Sequence, residues 1–149
     1  MIPTAIDDIN ARYDAVLAAL KTHATTRVVK ESFYRDIGVH TRADLIQGVV
    51  MVILDNEGDY TNNFALQAKQ GATQFRVVYH LHAGDNNPEP KVTRQKEGEA
   101  AEEVKAFVRA GVTGLSLALI DVQFSRQLDH PYGWIVATVR AGPPESNTL

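Results

Sequence analysis

Two histidines, His80 and His82, stand two residues apart in the run Ala72-Thr-Gln-Phe-Arg-Val-Val-Tyr-His-Leu-His82. In an extended strand that spacing aims both imidazoles at one face, and an imidazole pair is a start toward a zinc site. Zinc needs a third protein ligand in fixed geometry. Asp85 lies nearby, and His23, His40 and His130 occur elsewhere, but no spacing ties any of them to the pair. The sequence therefore favours two half-exposed histidines on the outer face of a strand. A small metal-binding enzyme using His80 and His82 is the alternative of a different class.

Other patterns come close to known chemistry and miss on a specific requirement. Asp55-Asn-Glu57-Gly-Asp59 has the acid spacing of a calcium loop. An EF-hand places glycine directly after its third ligand, between two helices. Here Tyr60 holds that position and an apolar run precedes the loop, so a solvated acidic loop is expected. Gly114-Leu-Ser116-Leu-Ala118 approaches a nucleophile elbow. That motif turns from strand to helix, whereas here a helix is expected before it and a strand after. The chain contains no P-loop, GxGxxG or HExxH pattern, and no cysteine for a disulfide or a thiolate site. No catalytic residue, metal ligand or cofactor is assigned, and the chain is not expected to be an enzyme.

The remaining residues of interest suit contact better than catalysis. Tyr60 and Phe64 are large aromatics inside the polar stretch Asp55–Ala72. Aromatics in such a loop either await a partner surface or fold back over the chain's own core, and both readings stand. Trp134, the only tryptophan, follows a turn and is expected in core or interface packing. The candidate interface residues are Asp55, Glu57, Asp59, Tyr60, Phe64, Lys69 and Trp134.

The elements that would position these residues follow from periodicity. Ile6, Ile9, Tyr13, Val16, Leu17 and Leu20 recur at helical spacing, with Asp7, Asp8, Arg12, Asp14 and Lys21 on the other side. Thr4 is the expected N-cap, with Asp7 three residues on, and the helix should end near Thr22–Ala24. Arg27–Arg35 reads as an imperfect strand, followed by a loop with Gly38, Thr41 and Asp44. Val49–Leu54 is a continuous apolar run that suits a strand covered on both faces. A loop over 55–72 is long for a small domain.

In the strand that follows, Phe75, Val77, Tyr79 and Leu81 face one way, and Gln74, Arg76, Val78, His80 and His82 the other. Pro88 and Pro90 break it. Glu99–Ala110 reads as a helix with apolar Ala101, Val104, Phe107 and Val108, stopped by Gly111. A closing hairpin runs through Leu115–Ser125, the turn at 129–133, and Trp134–Arg140. Its alternation changes face near Leu119–Ile120, which suggests a bulge. The order implies one α+β domain over 1–141, with a mostly antiparallel sheet and two helices on one face. Residues 142–149 read as a flexible tail.

Composition narrows the classes further. A chain of 149 residues fits one domain and buries roughly 70% of its unfolded surface. Fifteen basic against 18 acidic residues leave a net charge of −3. Free nucleic acid is usually gripped by a basic face, so sequence-specific nucleic-acid binding is disfavoured. The longest apolar run is far short of the roughly 20 residues a membrane helix requires. No secretory leader is read at the N-terminus, so a soluble protein is expected.

Taken together, these segments resemble the tail-terminator (minor tail) proteins of long-tailed bacteriophages, the lambda-type family. The opening helix over Ala5–Thr22 leads into strands, and Val49–Leu54 runs into Asp-Asn-Glu-Gly-Asp-Tyr. The short helix Glu99–Ala110 follows the second central strand. The closing hairpin carries Leu119-Ile-Asp-Val-Gln-Phe, then Asp129-His-Pro-Tyr-Gly-Trp134, then a terminal alternating strand to Arg140. The likeness lies in element order and length over most of Ile2–Arg140. It implies a homohexameric ring at the head-proximal end of the tail in the virion, assembled in the host cytoplasm. Its partners would be the tail-tube protein and a head–neck connector protein. Asp55, Glu57 and Asp59 would then line a lumen through which DNA slides. Other phage neck, tail-tube and head–tail connector proteins share the same design and stand as alternatives, as does a monomeric ligand-binding α+β domain.

Overall fold

A run that is apolar at every position needs cover on both faces, and the strand β2 (Val49–Gly58) obtains it. The computed structural model describes residues 5–58, 71–86 and 88–144. Val50 and Val52 point into one buried cluster, Val49 and Met51 into another on the opposite side of the sheet. Five strands are arranged in the order β1-β2-β3-β5-β4. They are β1 (Val28–Val29), β2, β3 (Ala72–His82), β4 (Ser116–Phe124) and β5 (Tyr132–Gly142). Only β1 runs parallel to its neighbour; every other pairing is antiparallel.

The main core lies between the sheet and two helices, α1 (Ile9–His23) and α3 (Pro90–Ala110). Val16, Leu17 and Leu20 of α1 and Val104 and Phe107 of α3 pack on Phe75, Val77, Tyr79 and Leu81 of β3. These four are the residues whose alternation assigned them to one face. Side chains of this size, fully buried, contribute about 1.5–3 kcal/mol each. The opposite face is covered in part by a 3-10 turn (Ile37–Val39) and a short helix, α2 (Arg42–Gln47). Leu45 of α2 packs there with Val49, Met51 and Val78.

Several boundaries differ from the sequence expectation, each for a local reason. The first helix is capped by Asp8, whose carboxylate accepts from the Ala11 N–H at 2.9 Å; Thr4 lies outside the described residues. The third helix begins at Pro90 rather than Glu99. Proline has no N–H to lose at a first helical position, so the residue read as a breaker opens the helix instead. The expected strand Arg27–Arg35 shrinks to two residues, because the chain leaves β2 after the Lys30 N–H bonds the Val50 carbonyl. The expected loop around Gly38, Thr41 and Asp44 holds α2, with Thr41 accepting from the Asp44 N–H. Three helices therefore replace the two anticipated. Asp55–Gly58 of the expected 55–72 loop belong to β2, Ala72 opens β3, and Gly142 of the expected tail ends β5.

The bulge expected near Leu119–Ile120 is present: the β4–β5 register slips between Leu119 and Asp121, leaving Ile120 unpaired with β5. A second irregularity falls between Leu54 and Asn56 in β2. Gly48, the C-cap of α2, has φ 100°, and a side chain there would meet Arg27 Nη1 at 2.6 Å. The left-handed φ favours glycine at that position, while the Arg27 guanidinium is a flexible end that could shift.

Candidate functional site

The two outer margins of the sheet are unlike. On one side β4 is an edge strand nine residues long. It exposes Ile120 (52%) and Phe124, and the adjoining turn exposes Leu128 (81%). On the other side β1 pairs with β2 only at Val49 and Val50. From Met51 onward the outer margin of β2 has no strand partner among the described residues. Unpaired strand margins are templates for another chain; on the β2 margin the Val52 carbonyl accepts from the Tyr13 hydroxyl at 3.1 Å.

The sequence-chosen interface residues are distributed unevenly on this frame. Asp55 sits at the irregularity of β2, where it accepts from Gln74 at 2.7 Å and pairs with Arg76 at 3.5 Å. Glu57 turns inward instead of out: it accepts from the Thr73 hydroxyl at 2.9 Å and lies 3.7 Å from Arg12. Asp59, Tyr60, Phe64 and Lys69 lie outside the described residues. Trp134 is two residues into β5 and half-buried, opposite His80.

His80 and His82 do face the same side of the sheet, but they are not half-exposed. They are 6% and 3% exposed, because the 3-10 turn, α2 and the segments around them cover that face, where the sequence predicts loop. The two rings are engaged separately. His82 Nδ1 accepts from the Gly84 N–H at 2.9 Å, and its ring meets Tyr132 edge-on. His80 Nδ1 lies 3.1 Å from His40 Nε2, and His40 Nδ1 lies 2.9 Å from Lys30 Nζ. No group of three or more His, Asp or Glu residues is disposed to hold a metal ion among the described residues.

The Lys30–His40–His80 chain fixes its own proton positions. An ammonium can only donate, so His40 Nδ1 accepts and His40 carries its proton on Nε2. That proton is donated to His80 Nδ1, which leaves the His80 proton on Nε2. Burial, with His40 alongside, pushes His80 down to about 4. Burial and the Lys30 charge lower His40 as well. Both rings are therefore neutral at pH 7. His80 borders a cavity of about 570 Å³ between the 3-10 turn and the end of the closing hairpin. Arg35, Asp36, Asp129, Tyr132 and Trp134 form much of the remaining wall.

Two buried charges organise the rest of the molecule, and the sequence reading missed both. The helical pattern places Arg12 on the polar side of its helix, but it is fully buried. Its Nη1 donates to the Gly71 carbonyl at 2.6 Å and to Thr73 Oγ1 at 2.9 Å, and its Nε donates to the Ile6 carbonyl. Nη2 has no hydrogen-bond partner among the described residues and stands 3.7 Å from Asp7. A signal existed: Arg12, Val16 and Leu20 share one four-residue stripe. Glu97 is 2% exposed, and it accepts from the Ser125 N–H at 3.2 Å, the Trp134 N–H at 3.3 Å and the Ser125 hydroxyl. It thereby steadies a turn in which Arg126 and Gln127 both have left-handed φ, 62° and 61°, a conformation costing on the order of 1–3 kcal/mol per non-glycine residue.

What fold and site define together is an α+β sheet protein whose two outer margins lack strand partners among the described residues, with a cavity bordered by His80. No protein-family model matches the chain, and no curated protein matches it. No helix among the described residues is long and apolar enough to cross a membrane.

Proposed function

We propose that this chain is a structural subunit of a phage tail terminator, forming a homohexameric ring that caps the tail tube and offers a joining surface to the head–neck complex. The observation that carries the reading is the pair of unlike sheet margins. A contact between the β4 margin of one copy and the β2 margin of the next is heterologous, and a heterologous contact that closes by rotation makes a ring. The apolar Ile120 and Phe124 on β4 give such a contact side-chain surface as well as backbone bonds. The element order, with an opening helix, central antiparallel strands, a helix and a closing hairpin, is the order on which the family resemblance was drawn. For the acidic-lumen idea, Glu57 is engaged with Thr73 and Arg12 and Asp55 with Gln74 and Arg76, and Asp59 lies outside the described residues.

Imaging the purified protein mixed with phage tail tubes tests this reading. A ring seated on one end of each tube, and arrest of further tube growth, is the expected result. Tubes that remain bare and continue to grow in excess protein would overturn it.

A further inference from the structure

The cavity beside His80 displays opposite charges on an aromatic floor. Among the described residues, no hydrogen bond or ion pair engages the side chain of Arg35 or that of Asp129. Asp36 is partly committed, since its Oδ1 accepts from the Gly38 N–H at 2.9 Å. His80 presents Nε2–H, the proton position dictated by the Lys30–His40 relay, and that nitrogen has no partner of its own among the described residues. A donor backed by a partly buried chain ending in an ammonium, beside a guanidinium, suits a carboxylate. The free Asp129 carboxylate suits an ammonium. Trp134 and Tyr132 supply a flat apolar surface of the kind that lines small-molecule sites. A purely anionic ligand would meet Asp36 and Asp129 unfavourably, and a purely cationic one would meet Arg35.

We infer that this cavity binds a small zwitterion of the α-amino-acid class, its carboxylate on Arg35 and the His80 Nε2–H, its ammonium on Asp129, and its side chain against Trp134. The inference is independent of ring assembly, and a chain that binds no tail tube could still bind such a ligand.

Because Trp134 is the only tryptophan, its emission reports on the cavity without a label. The probes are L-phenylalanine, phenethylamine and 3-phenylpropionate, which share a ring and differ in charged ends. Titration is read by tryptophan emission and in parallel by calorimetry, so a spectrally silent complex is still detected. Saturable binding of L-phenylalanine is expected, with each single-charge analogue weaker by about tenfold or more. Arg35→Ala and Asp129→Ala should each weaken L-phenylalanine by a similar factor. Among the described residues both side chains are exposed and unpaired, so circular dichroism should remain native. Three results would each overturn the inference: no heat and no emission change up to tens of millimolar, equal binding of all three probes, or unchanged affinity in both variants.

Discussion

Replacing Arg12 by methionine keeps most of the side-chain length and removes the charge, which isolates what the guanidinium does. In the native chain Arg12 holds three backbone or hydroxyl acceptors drawn from distant places: Ile6, Gly71 and Thr73. It also faces two carboxylates, Asp7 and Glu57, at 3.7 Å each. Glu57 has a side chain only 10% exposed, so it would be left largely buried without that cation. Breaking a buried pair by deleting one partner costs about 3–5 kcal/mol, and methionine recovers a fraction of this through packing. A net loss of about 3 kcal/mol is expected, which for a chain of this length lowers Tm by roughly 6–12 °C. Urea denaturation followed by circular dichroism gives the free energy, and calorimetry gives Tm. The double variant Arg12→Met with Glu57→Gln separates charge from packing. Glu57→Gln should be destabilising in the native background and neutral or stabilising once Arg12→Met is in place. If Arg12→Met costs under about 1 kcal/mol, or Glu57→Gln costs the same in both backgrounds, the buried-charge reasoning is wrong.

Other perturbations probe the remaining polar devices. His80 is lowered to about 4 in the folded chain, and His40 and His82 are lowered as well. Unfolded histidines take up protons near 6.5, before the folded ones do. Stability should therefore be full above pH 6.5 and fall as pH drops from about 6.5 toward 4, with His80 alone contributing on the order of 2 kcal/mol after screening. Thermal melts across this range should show a shallower decline in His80→Leu; an equally steep one would remove His80 as the cause. In Gly133→Ala, the new methyl would lie 2.7 Å from Glu97 Oε2 and 2.8 Å from Thr93 Cγ2. A loss of about 1–3 kcal/mol is expected, and an unchanged denaturation midpoint would show that the Glu97 seat is loose. Ile120→Lys with Phe124→Lys places charge on the β4 margin, which should abolish capping of tail tubes. Stability should change by under about 1 kcal/mol; intact caps in electron micrographs would rule out that margin as the contact.

The sheet was legible because its strands obey simple patterns. The alternation of Phe75, Val77, Tyr79 and Leu81 assigned the buried face, the unbroken run from Val49 demanded two-sided cover, and the face change at Leu119–Ile120 marked the bulge. What covered the second face was not legible. The six-residue α2 is too short for periodicity to reveal, and the 3-10 turn has no repeating stripe. Without that cover the histidines read as half-exposed. The same gap hid the His40–His80 contact, whose partners are 40 residues apart. The helix ends failed differently, since Pro90 can stop one element or start another, and only packing decides. Arg12 and Glu97 were missed because a charged residue on a helix is assigned to solvent by default, even where its spacing places it among apolar neighbours.

These buried charges explain how a sheet whose outer margins lack strand partners among the described residues keeps a single register. Strand pairing alone leaves slippage possible wherever a margin is exposed. Arg12 binds the carbonyl of Gly71 and the hydroxyl of Thr73 at the start of β3 and faces Glu57 at the end of β2, so it pins that end of the β2–β3 pair. Glu97 binds Ser125 beyond β4 and Trp134 in β5, pinning the turn end of the closing hairpin. Each carries a donor or acceptor set that a one-residue slip would leave unpaired inside the protein, at a cost of about 1–3 kcal/mol per group. The inner pairings are thus held by charge as well as by shape, whether or not another chain meets the outer strands.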